Sequence, residues 1–489
     1  MKTVGIICEY NPLHLGHQKQ MDTVRALYGP DTAIVCLMSG NYVQRGAPAI
    51  LDKSLRAKAA VLSGADLVLE LPVTRALSSA EGFASGGVEI LSGFCDSLCF
   101  GAETADKEPL LQLARALLSD SFPTLLRREL DSGKSFPAAR QAALEAMHLD
   151  GEILASPNNI LAVEYCKAII SQNAAMEPIP IHRGGSYHDL KADLENPSAT
   201  ALRALMLDSR YWKSYVPGDA VEVFEHAPLH TLAAGERAVL ARLRTMSDEE
   251  FEALPYGSEG LWRKFMHNCR SHPTLEKILE ATKSKRYTRT RLDRMMMCAF
   301  LGLTREDLTS PVPYIRVLAF TDRGRQVLKE ARNSGIFLNA GEPGDGAYWE
   351  AECRMGDLYG LFAVDGPEAP GTEAKRRVYY HKENLHSNDP QAENIQLHHR
   401  LLKLRLSGFR YVQYPRPVQC DGRRRLRPDA ASEPLVSYFP GSIQLSAKCR
   451  LLRSGLENPR KRVHRLFRDC RLRLLRLLCG MRTVSAPVA

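Results

Sequence analysis

Residues 3–20 read Thr3-Val4-Gly5-Ile6-Ile7-Cys8-Glu9-Tyr10-Asn11-Pro12-Leu13-His14-Leu15-Gly16-His17-Gln18-Lys19-Gln20. The first six are a short apolar run, the pattern of a buried strand. A loop follows, and from His17 to Tyr28 apolar residues recur at helical spacing. The alternation continues downstream. Thr32–Met38 (TAIVCLM), Asp66–Leu71 (DLVLEL) and Ser97–Phe100 are expected strands; Asp52–Ser63, capped by Asp52, and Ala80–Leu91 are expected helices. Continuous apolar strands separated by helices predict an α/β fold, a Rossmann-like parallel sheet covered on both faces.

The loop Asn11-Pro12-Leu13-His14-Leu15-Gly16-His17 then falls at the carboxyl end of a strand, where open α/β sheets bind ligands. A helix start there offers free N–H groups and the positive end of a dipole to phosphate. Gly16 permits close backbone approach, and His14 and His17 can donate hydrogen bonds to a triphosphate. Such donors stabilise charge that builds on the bridging oxygen during in-line attack at the α-phosphate. The simpler reading is a pair of capping histidines. A second element, Ser198-Ala199-Thr200-Ala201-Leu202-Arg203, puts hydroxyls at a predicted helix start over Pro197–Asp208, with Arg203 one turn on. Hydroxyls and an Arg fork suit phosphate oxygens. Alone this is a capped helix with a surface Arg; beside HxGH it reads as an anion site.

Residues 106–175 read as mostly helical, Pro178–His182 as a last strand, and Ala227 to about Leu308 as helical again. Lys283–Arg294 (KSKRYTRTRLDR) is rich in Lys and Arg, with Tyr287 among them. That composition suits phosphate-backbone contact with one stacking aromatic. From about Gly341 helical periodicity fades among Gly and Pro. The division expected is 1–225, 226–380 and an irregular basic extension, 381–489. Lys and Arg number 65 against 56 Asp and Glu, and Cys449–Arg482 alone carries 11 basic and 2 acidic residues. The positive balance therefore belongs to the extension and not to the body. Its RKRVHRLFRDCRLRLLRLL could form a basic amphipathic helix on RNA or a membrane surface, or be irregular sequence without a role. The 12 cysteines include no CxxC pair, so reduced, mostly buried thiols are expected and no metal site. No apolar run reaches the ~20 residues of a membrane span, and the start lacks signal-peptide features; a cytoplasmic protein without membrane contact is the expectation.

The two elements together resemble the HxGH nucleotidyltransferase superfamily. GIICEYNPLHLGH, MSGNYVQRGAPAILDKSLRAKAAVLSGADLVLELP, FGAE, SPNNILAVEY, SATALRALM and KRYTRTRLDRMM are similar, in this order, to the tRNA(Met) cytidine acetate ligase family over roughly residues 1–375. The resemblance implies a nucleotidyltransferase domain followed by a mainly helical, tRNA-contacting one. It implies that ATP and acetate form acetyl-adenylate, and that acetyl passes to N4 of the wobble cytidine of elongator tRNA(Met). By the same resemblance Ile7–Gln20 would wrap ATP, and Gly101, Asn159 and Arg183 would be further ATP contacts, with Ser198 and Thr200 at the phosphates. His14, His17 and Arg203 would be catalytic. Gln44, Arg45 and Lys53 could reach a phosphate or the acetate carboxylate, unless Lys53 and Arg56 are a solvated helix face. Asp66 and Glu70 could serve structure or a metal, and Mg²⁺ is expected with ATP. Lys285, Arg286, Tyr287, Arg289 and Arg291 would contact RNA. Tyr187-His188-Asp189 also resembles a family element, without a role to assign. Leu13 and Leu15 replace the family's Phe and Asn, and Ala199 a Ser; neither Leu removes a ligand. Two other activities fit the residues: adenylyl transfer to a small metabolite, and nucleotide sensing by a non-catalytic RNA-binding protein. The basic segment speaks against the first, and intact His14, His17 and Arg203 against the second.

Overall fold

A computed structural model describes residues 1–183, 198–208, 211–333 and 346–382. Tyr187-His188-Asp189 and the basic extension lie outside them. The strands are β1 Thr3–Cys8, β2 Ala33–Ser39, β3 Tyr42–Val43, β4 Ala47–Pro48, β5 Leu67–Leu71, β6 Ser97–Ala102, β7 Glu177–His182, β8 Val317–Phe320 and β9 Tyr379–Tyr380. Seven form one sheet in the order β7-β6-β1-β2-β5-β8-β9, and β3 pairs with β4 in an antiparallel hairpin. β1 lies near the middle, in parallel register with β2 from Thr3↔Ala33 to Cys8↔Met38 and with β6 on its other side. Its carboxyl end is therefore flanked by the carboxyl ends of two neighbours. β2 is buried at every position, as a strand covered on both faces must be.

The helices of the first half are α1 Leu15–Tyr28, α2 Lys53–Leu62, α3 Val73–Ala76, α4 Ala80–Leu91, α5 Lys107–Leu117, α6 Phe122–Asp131, α7 Phe136–Glu145 and α8 Pro157–Ser171. One core cluster joins Leu37 and Leu98 of the sheet to Leu91, Leu113 and Val163 of α4, α5 and α8. Another joins Ile6 and Val68 to Met21 and Val24 of α1 and Ala60 of α2. The expected α/β sandwich is thus formed, and the expected cap of α2 is present: the Asp52 carboxylate accepts from Ser54 N–H at 2.8 Å.

The remaining helices are α9 Ala199–Asp208, α10 Gly218–Phe224, α11 Glu236–Thr245, α12 Asp248–Glu252, α13 Leu261–Ser271, α14 Leu275–Thr282, α15 Arg289–Leu301, α16 Asp322–Asn333, α17 Gly346–Tyr359 and α18 Thr372–Lys375. α11, α13, α14 and α15 share an apolar core of Leu243, Phe265, Ile278 and Met296. Two features differ from the sequence expectation. β8 and β9 return from this region to extend the sheet, β8 antiparallel to β5. And α17 is helical where periodicity fades, because it buries polar Glu352 along with Met355 and Tyr359, so no clean apolar stripe marks it. The described cysteines are all free, and all but half-buried Cys353 are buried.

Candidate active site

The loop 9–14 leaves the carboxyl end of β1 and is held in place from both sides. Arg56 donates to Glu9 O at 2.6 Å, and Arg203 Nη1 donates to Asn11 O at 2.8 Å. Asn11 Oδ1 accepts from Ile50 N–H at 2.8 Å, and the Asn11–Pro12 peptide is cis. Tyr10 has φ 44°, a left-handed conformation that costs a bulky residue about 1–3 kcal/mol. Its ring is 1 % exposed and its hydroxyl lies 3.3 Å from Cys36 Sγ, so the surrounding core dictates that backbone.

His14 caps α1 and His17 sits in its first turn. Their rings stack with centroids 3.6 Å apart, and His14 N–H donates to His17 Nδ1 at 3.2 Å. That bond assigns the His17 proton to Nε2, the nitrogen left to donate to a ligand. Both ring nitrogens of His14 are buried without a hydrogen-bond partner among the described residues. A buried, unsatisfied ring is costly unless something polar comes to it. Burial and then the Arg183 charge bring His14 down to about 3; burial, His14 and Arg183 lower His17 as well. Both rings are neutral donors at pH 7.

Arg183 N–H donates to Ala102 O, and Arg183 lies over Gly101, where a Cβ would stand 3.3 Å from its Cδ. Gly101 thus leaves room for a cation beside the histidine pair. Arg203 also donates to Thr200 Oγ1 at 3.1 Å, joining the helix start at Ser198 to the loop. The sequence-predicted His14, His17, Gly101, Arg183, Thr200 and Arg203 are thereby linked around one strand end. Asn159 is placed differently. Its Oδ1 accepts from Thr104 N–H and its Nδ2 donates to Thr104 Oγ1, while Asn158 holds Glu103; these side chains brace the connection after β6. Within 7–20, Cys8, Tyr10 and Leu13 are core, Gln20 reaches Cys99 Sγ at 3.5 Å, and Lys19 is exposed.

Gln44 and Arg45 sit on the turn between β3 and β4. Gln44 N–H donates to Glu9 Oε1 at 2.7 Å. Gly46, at φ 78°, touches α15: a Cβ would meet the Asp293 and Arg294 backbone at 2.4 Å. The hairpin is therefore a bridge between the loop and the helical region. Asp66 is spent on Arg25, Arg323 and the Ile34 N–H, a structural use.

Lys53 and Arg56 are buried, not a solvated face. Lys53 Nζ lies 2.7 Å from both Glu70 and Glu373. Arg316 pairs with Glu373 and lies 3.8 Å from Glu70 and 3.7 Å from Glu352; Arg376 clamps Asp52 at 2.6 and 2.9 Å. Three cations thus meet four carboxylates. Burial, then Glu70, raises Glu352 to about 7, while Tyr314 O–H donates to it. A neutral Glu352 balances the cluster. Its folded pKa exceeds the unfolded value, so the folded state keeps a proton that the unfolded state loses, and stability falls as pH rises from about 4.5 to 7. Glu352→Gln should remove that loss, stabilising the protein at pH 8 by on the order of 1–3 kcal/mol and not at pH 4. Thermal unfolding at both pH values checks this; equal shifts at both would contradict it.

The basic segment is largely engaged. Arg289 binds Glu276 through both Nη atoms at 2.6 and 2.7 Å and Asp293 through Nε. Arg291 donates to Tyr256 O and Ser258, and Arg286 and Tyr287 bind Glu259. Lys285 is exposed. Spacing could not show these partners, since Glu259 and Glu276 lie elsewhere in the chain.

Residues 1–366 match the family model described as HIGH Nucleotidyl Transferase. The tRNA(Met) cytidine acetate ligase of Clostridium novyi is 37% identical over 351 residues, 68% of this chain and 88% of that one. The protein of that name from Acetivibrio thermocellus is 34% identical over 398 residues, 73% and 94% of the two chains. This chain is a member of the tRNA(Met) cytidine acetate ligase family. Its fold agrees with that of apo Thermotoga maritima TmcAL at TM-score 0.73 and 29% identity, covering 78% of this chain and all of that one. A second structure of that ligase, bound with alpha-thio ATP, matches at TM-score 0.71 with the same identity and coverage. The family is one of nucleotide-binding ligases on the nucleotidyltransferase fold, as the strand-end loop requires.

Proposed function

We propose that the chain condenses acetate with ATP to acetyl-adenylate and transfers the acetyl group to N4 of the wobble cytidine of elongator tRNA(Met). The observation that carries this is the neutral, stacked His14–His17 pair at the start of α1, with the His14 ring nitrogens lacking a hydrogen-bond partner among the described residues and Arg183 and Arg203 converging on the same loop. An acetate oxygen attacks the α-phosphorus and pyrophosphate leaves. The cytidine amine then attacks the acetyl carbonyl, AMP leaves, and the amine loses one proton. His14 and His17 serve the first step as donors to phosphate oxygens, and Arg183 and Arg203 supply positive charge. Gly101 serves by leaving room at β6 for the Arg183 side chain. Asn159, whose amide is spent on Thr104, acts by holding the Glu103–Thr104 connection.

No group of three or more His, Cys, Asp or Glu side chains able to hold a metal occurs among the described residues. Mg²⁺ would shield phosphate charge if bound with ATP; the carboxylate at the loop that could face it is Glu9, whose Oε1 accepts from Gln44 N–H at 2.7 Å. The described helices include none long and apolar enough to cross a membrane; the proposed tRNA substrate supports a cytoplasmic location. The test is acetate-dependent exchange of labelled pyrophosphate into ATP, followed by a search for acetylcytidine in digested tRNA. Exchange that needs acetate and no RNA supports the reading; ATP binding without exchange rejects it.

A further inference from the structure

We propose that the outer face of α13, continued by the α14–α15 connection at residues 283–288, seats the phosphate backbone of the tRNA; this rests on the reading above. α13 buries Leu261, Phe265, Asn268 and Cys269. Its exposed arc carries Arg263, Lys264, His267 and Arg270 and no acid. Lys264 Nζ donates to Lys283 O at 3.3 Å, so the helix face runs directly into exposed Lys283 and Lys285. Arg270 has Asp248 as a partner at 2.7 Å. Arg263, Lys264, Lys283 and Lys285 have no ion-pair partner among the described residues. A row of uncompensated cations repels itself, and a polyanion relieves that repulsion while releasing counterions.

The position suits the chemistry. From its cap at Thr288, α15 runs to Asp293 and Arg294, about 9 Å at 1.5 Å per residue. There it meets Gly46 of the β3–β4 hairpin, whose Gln44 holds Glu9 of the HxGH loop. RNA on the basic face thus lies beside the route to the adenylate. The nearby aromatic faces are covered: Arg263 lies over Trp262 and Arg291 over Tyr287, each 5.0 Å from the ring centroid. The face therefore grips phosphate and does not stack bases, so it binds tRNAs without reading their identity.

The test measures tRNA affinity of the full chain between about 50 and 200 mM salt. The charge-reversal variant Arg263→Glu/Lys264→Glu should lose at least about tenfold in affinity and reduce the salt slope by about two, with similar losses for cognate and unrelated tRNAs. The milder Lys283→Gln/Lys285→Gln should move the same way by about three- to tenfold. Lys277→Glu, exposed on α14 outside the face, is the charge-matched control, expected within about twofold. Affinity within twofold of wild type in the folded reversal variant, or a loss equalled by Lys277→Glu, overturns the proposal. Wild-type protein that binds tRNA but forms no acetylcytidine counts against the proposed activity and not against this face.

Discussion

His17→Ala should lower acetate-dependent pyrophosphate exchange by about 10²–10³-fold, the usual cost of removing one aligned donor to developing charge. The geometry explains why. Attack at the α-phosphorus moves negative charge onto the departing pyrophosphate. The rings of His14 and His17 are 3.6 Å apart in a buried setting, and burial and mutual repulsion oppose charging both. They act as neutral donors, and a neutral donor in a low-dielectric site is strong because little water competes. tRNA affinity should stay within about twofold, since no RNA contact is assigned to the loop. An unchanged exchange rate would remove His17 from the mechanism. The same burial makes a pH statement. The pKa of His14 is lowered to about 3 in the folded protein from 6.5. Below pH 6.5 the unfolded chain takes up a proton that the folded one refuses, so stability falls as pH falls from 6.5 toward 3. The slope from this ring is up to about 1.4 kcal/mol per pH unit. Pyrophosphate exchange should correspondingly show no inflection near 6.5 that belongs to these rings. An inflection there that His17→Ala abolishes would mean the pair is charged before ATP arrives.

What could be read from sequence follows from the range of the interactions. The early strands, the capped α2 and the HxGH turn are local: apolar runs, a cap and a glycine within a few residues state them. Gly101 was legible only through resemblance and Arg203 from its place one turn into a helix opened by hydroxyls; the structure explains each by its neighbour, Arg183 in one case and Asn11 O in the other. β8 stayed hidden because four residues, Val317–Phe320, carry too little periodicity, and its place is set by pairing with β5 across the chain. Lys53 and Arg56 misled for a different reason. Charge on a helix normally marks solvent. Here it marks burial, because partners up to 324 residues distant, Glu373 for Lys53 and Arg376 for Asp52, close over the helix start. The basic run 283–294 misled in the opposite sense. Its arginines look free in sequence and are mostly paired in space, while the unpaired cations sit partly on α13, which no motif marked.

Arg56→Met should cost about 3–5 kcal/mol of stability, a large share of the 5–15 kcal/mol that usually holds a domain. Arg56 is 0 % exposed and has no ion-paired carboxylate among the described residues. Its guanidinium instead donates to four carbonyls: Leu51 O at 2.8 Å, Glu9 O at 2.6 Å, Ser39 O at 3.1 Å and Gly40 O. Glu9 follows β1 and Ser39 ends β2, so one side chain ties two adjacent strand ends and the start of the HxGH loop. Burial lowers its pKa, and Tyr359, Asp52 and Glu9 oppose that; an uncharged Arg56 is still far from reach at pH 7. Methionine fills much of the volume but leaves those carbonyls without donors, at roughly 1–3 kcal/mol for each that water cannot reach. Lysine keeps the charge at a single point and cannot span acceptors on both strand ends, so Arg56→Lys should recover about half the loss. The readout is denaturant unfolding of wild type and both variants, with the KM for ATP measured on whatever remains folded. If Arg56→Met unfolds within about 1 kcal/mol of wild type, water satisfies the carbonyls and the guanidinium is not what holds the strand ends. If stability falls as expected and the KM for ATP rises with it, the loop that binds nucleotide and the core that supports it share this residue.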